Sequence, residues 1–570
     1  MTSTHLQPPS FAAFLLAIFL TSCSVAVEQW RVIEIPFESA SGDVAWDEVM
    51  DVTFTSGKTG ESFIVPAFWD GGNSVKVRFA PPGTGKWSWT TSCSGDRSLS
   101  GLSGSFRCGR YSGNLDIYRH GFVTVRKGKK YMTYSDGTPF FYLGDTHWGM
   151  YTEEIDEPGP HAGESGALSH FKYLIDKRVA QGFTVYQSEP IGAAFNLADG
   201  SLDEKDIEGF RLADRYYQYI ADAGLVHANA EFFFANQMHP GLSDRQLESM
   251  SRYWVARFGA YPVLWTLAQE VDNDFYSERG DQKFYDYTCN PWVKVAEYIH
   301  RYDEYSHPLS AHQESTWFTT VTGYGCRGDK DYISGGGVSA FASEEVAERT
   351  GHDWWAVQWS PSLTESPWRA VPEDYLASEY PAVNYEGRYC GLWTKDFGSR
   401  AQGWISFLTG FCGYGYGAAD IWLYKSTYDM NSVSFDGVDS VTVADKNAPW
   451  SVSVGYDSAV QMGYLRDYFE SFDWWNLTPV LSGDSAFRPS EGVAWACAST
   501  ADRTVVYFYG RTSRTGCLAG LAPEAKVSLS WFNPRTGEES SAGDGTVTAD
   551  GCLILPELPD CGDWVLTCLF

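Results

Sequence analysis

Three stretches of the chain carry three different rhythms of apolar and polar residues. From Val27 to about residue 115, short β-type runs are broken by Gly, Pro and Ser. In Ser74–Phe79, Val75, Val77 and Phe79 fall on one face of a pleated strand. Runs at Asp51–Thr55, Glu61–Trp69 and Lys86–Thr91, with Pro81-Pro82-Gly83 as a turn, complete an expected N-terminal β-sandwich over 27–115. From residue 116 the period lengthens. Leu168, Phe171, Leu174, Ile175 and Val179 share a helical face that stops at Gly182, and Phe183–Gln187 then reads as a strand. Ile207–Gly224 predicts a helix before strand Val226–Phe234. Ser243 caps a helix running to Phe258 before strand Pro262–Leu267, and Trp292–Tyr305 predicts a helix before strand Leu309–His312. Helix–strand units in series imply parallel strands, and this many predict a (β/α)8 TIM barrel over 116–473. An open doubly wound sheet competes, but no Gly-rich dinucleotide loop follows any strand. β-type runs return at Val493–Ala498, Thr504–Gly510, Lys526–Phe532 and Trp564–Leu569, predicting a small C-terminal β-sandwich over 474–570. The expected fold class is multidomain: a TIM barrel flanked by two β-sandwiches.

The first residues change the picture of where the chain works. Residues 11–20 are an apolar run too short to span a bilayer, followed by small residues up to Ala26. This predicts a signal peptide over 1–26 and a secreted, extracellular protein. The leader lacks Lys and Arg through Ser10, and Leu20-Thr21-Ser22-Cys23 resembles a lipobox, so a lipid anchor on Cys23 is the alternative. No later stretch is apolar for long enough to be a transmembrane helix. Disulfides are the default expectation for an exported chain with 12 Cys, of which eleven remain beyond Cys23. Cys93/Cys108 is expected to staple a hairpin, and Cys289/Cys326 and Cys390/Cys412 to tie barrel loops. Five cysteines in the last domain leave one thiol over. With no C-x-x-C pair and no His cluster, neither a metal nor another cofactor is expected. Lys+Arg 42 against Asp+Glu 72 gives a formal net charge of −30, which repels phosphate backbones and argues against nucleic acid as a partner. Aromatic residues make up 16% of the chain, which suits stacking on apolar sugar faces and equally suits a large core.

A barrel gathers its chemistry at the C-terminal ends of its strands. The polar residues closing the apolar runs are Asp145-Thr146-His147, Gln187 and Glu189, Glu231, Gln269-Glu270, His312-Gln313-Glu314, Gln358 and Glu386. No Ser-His-Asp order and no Cys–His dyad of recognisable spacing is present. Paired carboxylates are what glycosidic cleavage needs: one protonates the leaving oxygen and the other attacks or activates water. Spacing alone leaves Glu189, Glu231, Glu270, Glu314 and Glu386 all open.

Ala67-Phe68-Trp69-Asp70-Gly71, Val77-Arg78-Phe79-Ala80-Pro81 and Gly85-Lys86-Trp87-Ser88-Trp89 resemble the N-terminal β-sandwich that precedes apiosidase-like glycoside hydrolases. Phe141-Tyr142-Leu143-Gly144-Asp145-Thr146-His147-Trp148 is similar to that family's first barrel strand. Pro262–Glu270 resembles its fourth, Tyr380–Glu386 its seventh, and Arg400–Gly417 its eighth. Trp474-Trp475, Trp531–Gly537 and Asp563–Leu566 look like the small C-terminal domain to which collagen binding is ascribed. The resemblance implies a retaining mechanism with Glu270 as acid/base and Glu386 as nucleophile. Asp272 is the reserve acid/base, since the family can carry Asp there. It also implies first-strand sugar contacts by Asp145, His147 and Trp148. Cys390 stands where the family has a second acidic residue.

Around this pair, Gln187, His312 and Gln358 are candidate substrate contacts, His312 and Gln358 also able to orient the nucleophile. Arg388 and Tyr389 are candidates to keep Glu386 ionised. Each has a packing role as its alternative, and Trp265, Trp359 and Trp422 are expected in the core. Asn476-Leu477-Thr478 matches a glycosylation acceptor, discounted because a buried corner is expected there. The leading function is a glycosidase acting, preferably as an exo-enzyme, on side chains of a complex plant or algal polysaccharide. The insert Met150–Gly166 favours a walled pocket. The alternatives are an endo-acting hydrolase and a non-catalytic carbohydrate- or matrix-binding protein.

Overall fold

The computed structural model describes residues 27–152, 155, 169–190, 193–234, 241–269, 291–313, 355–359, 361, 363, 376, 380–391, 394–419, 421, 433–435, 439–441, 453–481, 483–509 and 513–570. At the N-terminus a five-stranded sheet faces a three-stranded one. Strand Met50–Ser56 buries Met50, Val52 and Phe54 in alternation, and Phe54 stacks on Phe79 of the facing sheet with ring centroids 4.1 Å apart.

The central sheet has eight parallel strands: β1 Tyr142–His147, β2 Val185–Ser188, β3 Val226–Phe234, β4 Val263–Gln269, β5 His312–Gln313, β6 Trp355–Gln358, β7 Ala382–Glu386 and β8 Gly413–Tyr416. β1 pairs with both β2 and β8, and the two outer members of the sheet, β4 and β5, meet at a parallel bridge between Trp265 and Leu309. The sheet therefore curls round on itself in the manner of a barrel. Helices α1 His170–Ala180, α2 Glu204–Asp222, α3 Asp244–Phe258, α4 Pro291–Tyr302, α5 Asp396–Leu408 and α6 Asp457–Glu470 follow β1, β2, β3, β4, β7 and β8. Ser243 caps α3 as expected, in a reciprocal box with Gln246, and Asp203 caps α2 the same way with Asp206.

One boundary differs from expectation in a way that matters. The apolar run Phe140–Leu143 predicts a first strand closed by the polar Asp145-Thr146-His147, yet β1 continues through them to His147. Asp145, Thr146 and His147 are thus strand residues on alternating faces. Tyr142, Val185, Ala228, Leu264 and Tyr385 pack together inside the curl. Leu143 belongs instead to the cluster holding Trp404 and Phe407 of α5. Even positions of β1 face inward, odd ones face the helices.

Both flanking domains dock on the helices. Arg78 of the first domain meets Asp214 of α2 at 2.7 Å, and Arg257 of α3 holds Asp214 at 2.7 Å and Asp70 at 3.2 Å. At the other end, a six-stranded sheet faces a three-stranded one, and Arg400 of α5 grips Asp563 with two bonds of 2.8 and 2.6 Å. Among the described residues no helix is long and apolar enough to cross a membrane.

The expected disulfides Cys93/Cys108 and Cys390/Cys412 are not formed, and all four thiols are free. Cys108 lies opposite Gly85 in the hairpin, eight residues before Cys93, a separation of about 26 Å at the rise of an extended strand. Cys390 is hydrogen-bonded beside Gly417 and Cys412 beside Ala382, at opposite ends of β8, about 16 Å apart by the same rise. Cys289/Cys326 lies outside the described residues. Asn476 is exposed, contrary to the buried corner expected for it, because the short turn Trp474–Asn476 turns only Trp474 inward.

Candidate active site

The inward-facing residues at the strand ends form one connected cluster. Glu386 closes β7 with its side chain buried. One carboxylate oxygen lies 3.0 Å from His312 Nε2, and the other accepts a hydrogen bond from the Tyr389 hydroxyl. His312 opens β5, and its Nδ1 lies 3.0 Å from Glu189, the residue after β2. Trp148, just past β1, donates its indole N–H to the Tyr389 oxygen at 3.1 Å. Its ring lies over Tyr385 and His312, with centroids 5.8 and 5.6 Å away. Carboxylates thus stand against both nitrogens of one imidazole, beside an aromatic wall. Burial works to lower the His312 pKa, but hydrogen bonds and charge from Glu189 and Glu386 outweigh it and lift the imidazole to about 10.

The eighth strand makes room for this cluster. A Cβ on Gly417 would run into the Tyr389 ring, and one on Gly415 into the Tyr385 carbonyl. The Gly-Tyr-Gly-Tyr-Gly run therefore brings β7 and its tyrosines closer than any larger residue permits.

Gln187 faces inward but is used for bracing. Its amide donates to the Tyr385 carbonyl at 2.9 Å and to Thr146 at 3.2 Å, and its oxygen accepts from Tyr142 at 3.1 Å. Arg388 is buried, and its backbone N–H donates to Gln402 of α5 at 2.8 Å. Asp145 and His147 occupy the helix side of β1. Asp145 accepts from Arg178 of α1 at 2.7 Å and is hydrogen-bonded to His147, whose ring packs on Tyr186. Arg178 in turn donates to Gln181 and to the Val454 carbonyl. Burial alone would raise the Asp145 carboxyl, but Arg178 and His147 hold it below its ordinary value. Trp265 and Trp359 are buried core residues, as expected.

Gln358 ends β6, and its side chain lies outside the described residues, as do Glu270, Asp272, Glu314 and Trp422. Glu270 directly follows Gln269, the last residue of β4. That strand is bulged near its end, with Leu267 at φ +66°. Glu231, at a second irregularity on β3, is buried with neither carboxylate oxygen hydrogen-bonded, and burial pushes it up to about 8. Glu189 was legible only as one of several strand-end acids. Its pairing with His312 joins positions 123 residues apart, which no local pattern announces. Among the described residues no group of His, Cys, Asp and Glu is placed to hold a metal ion.

Residues 126–476 match the family model for the apiosidase-like catalytic domain. The chain belongs to the apiosidase-like family. Residues 26–94 match a model described only as a domain of unknown function, placed where the first β-sandwich stands. Solved structures show the same architecture at low sequence identity. A Bacteroides vulgatus protein described provisionally as a glycoside hydrolase superposes with a TM-score of 0.64 at 15% identity, covering 95% of this chain and 99% of that one. A glycoside hydrolase family 5 protein from the same organism gives 0.55 at 16% identity, over 79% of this chain and 94% of its own. No curated protein matches the chain by sequence.

Proposed function

We propose that this apiosidase-like protein is an exported, retaining glycoside hydrolase built on a closed (β/α)8 barrel. In this reading it removes sugars from side chains of a complex plant or algal polysaccharide by exo action. Glu386 is the nucleophile and Glu270 the acid/base. The observation that carries the reading is the setting of Glu386: a strand-end carboxylate, facing inward, held by His312 and Tyr389 beside the Trp148 ring. The Tyr389 hydroxyl donates to one carboxylate oxygen and the His312 imidazole stands against the other, which fixes the rotamer from which Glu386 attacks.

In the first step Glu386 bonds to the anomeric carbon while Glu270 gives its proton to the departing oxygen. In the second, Glu270 takes a proton from water as that water displaces Glu386. A retaining pair needs a separation of about 5–5.5 Å between its carboxyl groups. Trp148 supplies an apolar face for the sugar, and Arg388 adds positive charge near the nucleophile. Asp145 and His147, engaged with Arg178, serve to hold β1 against α1. Gln187 holds Tyr385 in place. Asp272 remains the reserve acid.

The test is a screen of the full chain against aryl glycosides and pectic, arabinan and algal glycans, with product anomers read by NMR. Retention, and loss of turnover in both Glu386→Gln and Glu270→Gln, is the expected result. An inverted first product, or full turnover by both variants, would overturn the assignment.

A further inference from the structure

Glu189 is not one of the two carboxylates that the family resemblance implies, yet it is built into the cluster. It follows β2, is fully buried, and lies 3.0 Å from His312 Nδ1, while His312 Nε2 lies 3.0 Å from Glu386 on the far side of the ring. The imidazole is itself fully buried, covered by the rings of Trp148 and Tyr385. Such a ring has two limiting states. As a neutral tautomer it carries one N–H, so only one of the two carboxylates receives a hydrogen bond. As a cation it donates to both at once and places a full positive charge between them.

We infer that Glu189 is a positioning residue that holds His312 as a doubly protonated imidazolium, and that this cation orients the Glu386 carboxylate. The inference rests on the proposed nucleophilic role of Glu386 for its catalytic meaning, but not for its electrostatics. Removing one buried partner of an ion pair leaves the other uncompensated, so the ring has every reason to keep its second proton while both carboxylates face it. Among the described residues, the groups facing His312 are Glu189 from β2, Glu386 from β7, and the rings of Trp148 and Tyr385, with the Tyr389 hydroxyl shared through Glu386. Of these described groups, the two glutamates are the ones that bring charge at neutral pH. The lift of the imidazole to about 10 agrees with the geometry. The arrangement also accounts for a glutamate where a residue that merely accepts a hydrogen bond from Nδ1 would be enough for a neutral ring.

The deciding measurement is made on the full chain without ligand, by nitrogen NMR of 15N-histidine-labelled protein, with the His312 signals assigned by their loss in His312→Gln. At pH 8 both ring nitrogens of wild-type His312 should carry protons. A neutral His312 at that pH overturns the proposal whatever any variant does. In Glu189→Gln the titration midpoint should fall by about one pH unit or more, since one of two anionic partners is gone. Glu189→Asp, which keeps the charge, should retain more of the lift than Gln does. Equal midpoints in Gln and Asp would reduce Glu189 to packing. For an aryl glycoside that wild type turns over, Glu189→Gln should lower kcat with little change in KM, and Glu189→Asp should recover part of that loss. Loss of rate in both variants with an unmoved NMR midpoint would mean that Glu189 is only structural. If no glycoside is turned over at all, the glycosidase assignment fails while the NMR result still decides the state of His312.

Discussion

Two clusters of the same residue types lie on opposite faces of the central sheet, and they do different work. On the helix side of β1, Asp145 and His147 are joined by Arg178, whose guanidinium cannot give up its charge. On the inner side, Glu189 and Glu386 share one imidazole. The first is a closed ion pair that fastens strand to helix. The second sets two carboxylates against a single imidazole beside an aromatic wall, and an imidazole can titrate. Buried polar residues at strand ends are therefore not by themselves a mark of catalysis. What separates the two clusters is the permanence of the balancing cation.

The largest effect that could break this contrast is at Glu386. Glu386→Gln should lower kcat on the order of a thousandfold or more with little change in melting temperature. A comparable rate in the variant would remove the inner cluster from the chemistry. The outer cluster should respond the other way. Arg178→Met leaves Asp145 buried without its cation and should cost about 3–5 kcal/mol of stability by chemical denaturation, while folded molecules keep their turnover. Asp145, held below its ordinary value, contributes stability that is present above pH of about 4 and lost as acid protonates it. That acid-side dependence should vanish in Asp145→Asn.

A third carboxyl sharpens the comparison by having no cation against it among the described residues. Glu231 is buried and its pKa stands at about 8, so the folded chain keeps a proton that the unfolded chain releases near its ordinary value. Stability should therefore decline as pH rises from about 5 to 8, by on the order of 4 kcal/mol in total. Glu231→Gln should flatten that decline, and an unchanged slope in urea titrations at both pH values would show Glu231 to be solvated or paired. The smallest effect is at Trp148. Trp148→Phe keeps a ring but removes the indole donor to Tyr389, and should cost about 1 kcal/mol or a few-fold in kcat/KM.

Much of the fold could be read in advance because it is written locally. Helical spacing located α1 to α4, Ser243 marked the start of α3, and the apolar runs located β2, β3 and β4 within a few residues. Strand β1 is longer than its apolar run because Asp145, Thr146 and His147, though polar, continue it. A strand buried on both faces can carry polar residues wherever the outer face meets an arginine from a helix. The disulfides failed for a related reason: cysteine spacing along the chain says nothing of which end of a strand each thiol occupies.

The amino-acid sequence by itself determined the periodicities, hence the three-part architecture, the parallel sheet and the list of acids that close its strands. It also carried the motifs that mark the family. Only the tertiary structure decided which of those acids face inward, which are tied up by Arg178, and that Glu189 and Glu386 meet at His312. The reason is physical. Period and propensity act over a few residues, whereas charge balance in a buried cluster is set by side chains brought together from strands far apart in the chain.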